Sequence, residues 1–163
     1  VAKNDLQNVR VHQYGLSDIS TTHSIQTNLL NIGKTTLDNR YQGGSVEEVT
    51  INRFDDIWDP VSAVSFVKID VEGHEYRALL GMEQMLRKDR PVLLFEYSPI
   101  FYKENGTDCH ELLNFLFGLG YRIFDCGDNK KEVDIGMVDV FIETCTFQTN
   151  LLCIPEHTYA KKN

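Results

Sequence analysis

From Val64 the chain runs Val-Ser-Phe-Val-Lys-Ile, then breaks into Asp70, Val71, Glu72, Gly73, His74 and Glu75. An apolar, β-branched run of this kind predicts a strand covered on both faces. In an open α/β sheet its carboxyl end is where ligands bind. Asp70 and Glu72 are candidate proton acceptors there, and His74 a candidate proton shuttle. Two further strand patterns end in carboxylates, at Glu96 and at Asp125. Parallel strands point the same way, so Asp70, Glu72, Glu96 and Asp125 are expected on one rim of the sheet. Like charges crowded together raise one pKa and create a general base able to take a proton from a hydroxyl. The alternative is that strand ends are polar because they meet water and cap helices. Gly73 predicts a sharp turn or a close approach of ligand to backbone. His74 reads more readily as a capping or solvated residue. Asp70, Glu72, His74 and Glu75 suggest a metal set by alternation, but Gly73 and the helix start break that geometry, and no metal is assigned.

The elements that must position these groups follow from periodicity. Leu79, Met82 and Leu86, flanked by Ala78 and Met85, predict a helix from Glu75 to Leu86. Pro91 to Tyr97 predicts a second buried strand. Asp108 and Glu111 form a capping-box-like start for a helix over Cys109–Leu119, stopped by Gly120. Tyr121–Asp125 predicts a third strand. Strand, helix, strand, helix, strand at this spacing implies parallel pairing through right-handed crossovers. Val138–Phe147 and Asn150–Ile154 predict extended segments that add an antiparallel edge. Upstream, Val9–Tyr14 alternates as a strand closed by Gly15-Leu16-Ser17-Asp18. Residues 19–45 read as a long loop, Val46–Ile51 as a short strand, and Arg53–Trp58 as a turn of helix. The expected fold class is α/β, a mostly parallel sheet with flanking helices and an antiparallel edge, in a single domain over residues 1–163.

Bulk properties narrow the function classes. Sixteen basic against twenty-four acidic residues give a net charge of −8. The largest basic clusters are Lys130-Lys131 and Lys161-Lys162, which argues against a nucleic-acid partner. An apolar content of 42% with 25% charged residues describes an ordinary globular chain. No apolar run approaches the ~20 residues of a membrane span. Cys109, Cys126, Cys145 and Cys153 show neither C-x-x-C nor zinc spacing, so they are expected to be reduced, mostly buried thiols of a cytoplasmic protein.

Several segments, in order, resemble FkbM-type S-adenosylmethionine-dependent methyltransferases. Val67-Lys68-Ile69-Asp70-Val71-Glu72-Gly73-His74-Glu75, followed by Leu79-Leu80-Gly81, is the most specific match. Asn8–His12 with Gly15-Leu16-Ser17-Asp18 looks like that family's third strand and its following turn. Thr50–Ile57, carrying Asp55-Asp56, resembles a further family segment, with Phe54 for the usual leucine. Arg90–Glu96 matches the next strand and its terminal glutamate. The resemblance implies a Rossmann-like fold, S-adenosylmethionine as cofactor, and an O-methyltransferase acting on a hydroxyl or carboxyl of a small molecule or glycan. It implies catalytic roles for Asp70, Glu72, His74 and Glu96, and cofactor contacts at Ser17, Asp18, Asp70 and Gly73, with Asp18 on the adenine side.

The family's glycine loop on its first strand and the ribose-binding acid on its second have no counterpart before Val9. The expectation is therefore a carboxyl-terminal portion of a methyltransferase domain from a protein extending upstream of Val1, binding S-adenosylmethionine weakly by itself. Val9–Tyr14, without its usual neighbours, is expected to pair beside Ala63–Val71 or to lean on another copy in a homo-oligomer. A catalytically inactive interaction module keeping part of the fold is the alternative, and a metal-dependent hydrolase a third possibility.

Overall fold

The computed structural model describes residues 4–27, 45–127, 131–145 and 147–156. Its centre is β5 (Val92–Tyr97), in which Leu93, Phe95 and Tyr97 alternate inward and are fully buried. Strand β4 (Phe66–Ile69) lies parallel to β5, pairing Phe66 with Val92 and Ile69 with Phe95. Two helices, α2 (Glu75–Leu80) and α3 (Glu83–Asp89), make the crossover between them. That βαβ unit follows from the apolar stripe of Ala78, Leu79, Met82, Met85 and Leu86, all buried. Among the described residues β4 is an outer strand with Phe66 exposed, not a strand covered on both faces.

The sheet of β4 and β5 is mixed, contrary to the expectation of a mostly parallel one. Its order is β4-β5-β8-β6-β7, and β8 (Thr149–Pro155) runs antiparallel between β5 and β6 (Tyr121–Asp125). The antiparallel strand is thus inserted, while the two-residue β7 (Glu132–Val133) forms the antiparallel edge. The return path from β6 to β8 includes a helix, α6 (Val138–Thr144), where the sequence suggests an extended segment. Its Val, Ile and Thr content favours strand, but Val138, Phe141, Ile142 and Cys145 fall at helical spacing and pack on the core. On the other side α4 (Pro99–Glu104) follows β5, and α5 (Cys109–Gly118) buries Leu112, Leu113 and Leu116. Asp108 caps α5 by accepting the His110 N–H.

A second sheet has the order β1-β3-β2, from β1 (Gly15–Leu16), β2 (Thr21–Thr27) and β3 (Ser45–Asn52). Part of the stretch read as loop is therefore β2, and residues 28–44 lie outside the described residues. Val9–Tyr14 is irregular, with Val9 and Val11 exposed, because the alternating side chains meet no core. Pairing begins only at Gly15, and with β3 instead of the Ala63–Val71 segment.

The two sheets are fastened where the expected long helix breaks into α2 and α3. A Cβ on Gly81 would lie 1.9 Å from the Ser17 carbonyl oxygen, so only glycine lets that segment pass. The Ser17 N–H donates to Asn52 O (3.0 Å) and the Asp55 N–H to Gly81 O (2.9 Å). Helix α3 is preceded at its N-cap by Met82, whose side chain offers no cap; the Asp55 carboxylate, fully buried on the short helix α1 (Phe54–Ile57), accepts from Gln84 N (2.9 Å) and Met85 N (3.1 Å). Arg90 closes the far end of α3 in a left-handed conformation and donates to Leu119 O (2.8 Å) and Gly120 O (3.0 Å). All four cysteines are free; Cys153 is buried, Cys109 and Cys145 are intermediate and Cys126 is exposed, so they are less buried than expected. Among the described residues no helix is long and apolar enough to cross a membrane.

Asp55→Ala leaves the Gln84 and Met85 N–H groups at the start of α3 without their side-chain acceptor. The expected loss is about 1–2 kcal/mol in urea unfolding, against little change for the exposed Asp59→Ala. A second expectation concerns His110, which bridges α5 and α6 with Nε2 2.7 Å from Asp139 and Nδ1 3.2 Å from Asp108. The hydrogen bond to Asp139, then that to Asp108, raises its pKa above the ordinary 6.5. A raised histidine contributes stability that is complete below the unfolded value and is lost as pH rises through the folded one. The unfolding midpoint should therefore fall more between about pH 6 and pH 8 in the parent chain than in His110→Ala.

Candidate functional site

At the carboxyl end of β4 the chain makes a tight turn before entering α2. The His74 N–H donates to Val71 O (3.3 Å), and both central residues, Glu72 (φ 51) and Gly73 (φ 94), have positive φ. That is the type I′ pattern, in which a glutamate at the first central position is strained. Three contacts hold it. A Cβ on Gly73 would stand 2.8 Å from Phe101 Cβ and 2.6 Å from Asn105 Nδ2, so α4 lies directly against the glycine. Asn105 Nδ2 approaches Glu72 O at 3.4 Å. From inside, Glu75 Oε1 accepts the Val71 N–H at 3.0 Å. The Gly73 requirement thus comes from backbone conformation and helix packing, and the space over it is filled by protein, not left open for a ligand.

One step beyond the Ile69–Phe95 pairing, Asp70 comes beside Glu96 at the end of β5. Asp70 is bound by Lys68 Nζ at 2.8 Å. Glu96 is partly buried and accepts from Gln148 Nε2 at 3.2 Å. Desolvation, then the charges of Asp70 and Glu72 and, only where it is ionised, Glu75, raise its pKa above the ordinary glutamate value, with Lys68 opposing. A carboxylate made more basic in this way is a better proton acceptor at neutral pH. Asp125 ends β6 on the same side of the sheet, but β8 stands between it and Glu96. Its carboxylate is engaged by Thr149 Oγ1 and the Gly127 N–H (2.9 Å), which form the β6–β8 corner. The structure therefore gathers Asp70, Glu72, Glu75 and Glu96 and leaves Asp125 apart.

Ser17, Asp18 and His74 meet elsewhere, in a cleft of about 210 Å³ lined also by Thr21, His23, Ile51 and Arg77. Ser17 Oγ donates to Asp18 (2.9 Å), and Arg77 Nη1 donates to the other Asp18 oxygen (3.1 Å). His74 is thus placed with the Asp18 turn, on the far side of the tight turn from Glu96. Arg77 escaped the sequence reading because its partner is 59 residues away. Tyr102 and Asn105 escaped it because nothing local distinguishes them from ordinary helix residues. Among the described residues no group of three or more His, Cys, Asp or Glu is arranged to hold a metal ion.

In open α/β sheets the carboxyl end of a parallel strand pair, where these carboxylates converge, is a common place for ligands. The chain belongs to the methyltransferase FkbM domain family, whose model matches residues 2–123, from the Asp18 turn through the rim and into β6. No curated protein shows a significant match, and no solved structure does. For the methyl-donor cofactor that this family generally uses, the described residues supply one candidate contact, the Asp18 turn. In the cleft at that turn the Asp18 carboxylate already accepts from Ser17 and Arg77, Ile19 and Ile51 lie beside it, and the volume is below the ~300 Å³ lower bound for drug-sized ligands.

Two glycines separate backbone strain from packing. Gly106 has φ 68 and open space where a Cβ would go, whereas Gly73 has φ 94 and Phe101 against it. Gly106→Ala should cost about 1–2 kcal/mol in denaturant unfolding from conformation alone. Gly73→Ala should cost at least about 1 kcal/mol more, because α4 must also move.

Proposed function

We propose that this protein is an S-adenosylmethionine-dependent O-methyltransferase whose acceptor is a hydroxyl or carboxyl of a small molecule or glycan. The observation that carries the proposal is the convergence of Asp70, Glu72 and Glu96 at the end of the parallel β4–β5 pair, inside the segment matched by the family model. When bound, the cofactor supplies an electrophilic methyl group, and Ser17 and Asp18 would hold its adenosine end. Methyl transfer is an in-line displacement, so the protein's own task is to orient the acceptor oxygen, exclude water and remove a proton. Glu96, partly desolvated and facing other carboxylates, has its pKa raised and suits the proton-acceptor role for a hydroxyl. Asp70 and Glu72 can only accept hydrogen bonds when ionised, which suits an acceptor rich in hydroxyl groups, such as a sugar. Lys68 pairs with Asp70 at 2.8 Å and offsets its charge beside Glu96. His74, on the Asp18 side, would act on the cofactor side of the turn and not as the base.

The test offers methyl-labelled S-adenosylmethionine to a panel of glycans and small hydroxy and carboxy compounds, with cofactor affinity measured separately by calorimetry. Asp70→Asn and Glu96→Gln should each lower methyl transfer by about 10²–10⁴-fold, whereas Asp125→Asn should stay close to the parent rate. Full turnover with full cofactor affinity in Asp70→Asn would reduce the rim to a solvated strand end.

A further inference from the structure

Glu75 is buried to 1% exposure at the first position of α2, where carboxylates are ordinarily solvated. One oxygen accepts the Val71 N–H of the strained turn; the other has no hydrogen-bond partner among the described residues and is shielded from water. Beside it lies the fully buried Tyr102, whose hydroxyl donates to the main-chain oxygen of Glu96 (3.0 Å). Glu75 therefore sits between the ends of the two strands that carry the rim. It is bonded to the turn after β4 and neighbours the tyrosine that is bonded to the end of β5. We propose that Glu75 is a positioning residue, holding Glu72 in its left-handed conformation and, with Tyr102, fixing the turn against Glu96. The role rests on the rim being the reacting site, but the geometry can be tested without any acceptor substrate. Burial raises the Glu75 pKa, which favours its neutral form. A neutral carboxyl accepts from Val71 through its carbonyl oxygen and donates through its hydroxyl to the Tyr102 oxygen, satisfying the orphaned atom. Glutamine has the same donor and acceptor in the same places; leucine has neither.

The Glu96 carboxyl can be followed by NMR in the full chain as pH is varied. The groups facing it are Asp70, Glu72 and Glu75 from the β4–α2 segment, Lys68 from β4, and Gln148 ahead of β8. Glu75→Gln should leave the Glu96 titration and the Glu72 backbone coupling near those of the parent. Glu75→Leu should let the turn relax, move Glu72 out of its positive-φ conformation, and shift the Glu96 titration down toward the ordinary glutamate value. Tyr102→Phe, which removes only the second link, should give a smaller downward shift and keeps the test open if Glu75→Leu does not fold. Two results would overturn the role. One is an unchanged Glu96 titration in both Glu75→Leu and Tyr102→Phe, or in Tyr102→Phe alone where the leucine variant does not fold. The other is a shift in Glu75→Gln as large as in Glu75→Leu, which would make Glu75 a charge and not a support. Failure of methyl transfer in every variant and the parent would count against the proposed reaction and leave the titration result standing.

Discussion

Two consecutive positive-φ residues, Glu72 and Gly73, are the constraint around which the carboxylate rim is organised. Only one of them is glycine, so the turn carries a cost of about 1–3 kcal/mol that its surroundings must offset. The offset is visible from three directions: Phe101 packed on Gly73, Asn105 approaching the Glu72 carbonyl, and Glu75 bonded to Val71. In return the turn sends the chain from β4 into α2 within a few residues, leaving Asp70 beside Glu96 and sending His74 to the other side. The division between the acidic rim and the Asp18–Arg77 cleft follows from that one reversal.

The second organising contact lies at Gly81, where the backbone of Ser17 crosses the junction of α2 and α3. It gives a physical reason for several residues that resemble family motifs. Ser17-Asp18 is placed by backbone contact to Gly81 and by hydrogen bonding to β3. Asp55 serves as the buried cap of α3. Asp56 accepts from Ser20 Oγ and ties the β1–β2 link to α1. Carboxylates that look alike in a sequence motif thus divide into rim groups and caps, and burial with hydrogen-bond partners separates them.

Charge and packing support different parts of the molecule. The core under β5 is aliphatic and aromatic, with Tyr97 and Tyr102 edge to face at 5.4 Å. The rim brings Asp70, Glu72 and Glu96 together, with Lys68 as a nearby partner, so the local potential there is negative. Glu75 is the exception, an acid inside the core, and its burial is tolerable because it can be neutral there.

The sequence by itself determined the features that depend on neighbours a few residues apart. The β4–α2/α3–β5 unit was legible from a β-branched run, a helical stripe and a second apolar run. The start of α5 was legible from Asp108, and the carboxylate break from Asp70-Val71-Glu72-Gly73. The extended character of Val46–Ile51 and Asn150–Ile154 was legible in the same way. Tertiary structure decided what depends on partners far along the chain. Strand β8 enters between β5 and β6, a choice of pairing that strand pattern does not encode. Val138–Thr144 becomes helix because a 3.6-residue face can pack on the core beneath it, overriding a weak strand propensity. Val9–Tyr14 stays irregular because no core lies under it. Asp18 meets Arg77, Asp55 caps α3, and Gly73 meets Phe101 only after the sheets and helices have closed. Local spacing sets which elements can form, whereas which side chains meet is fixed by packing between segments distant in the chain.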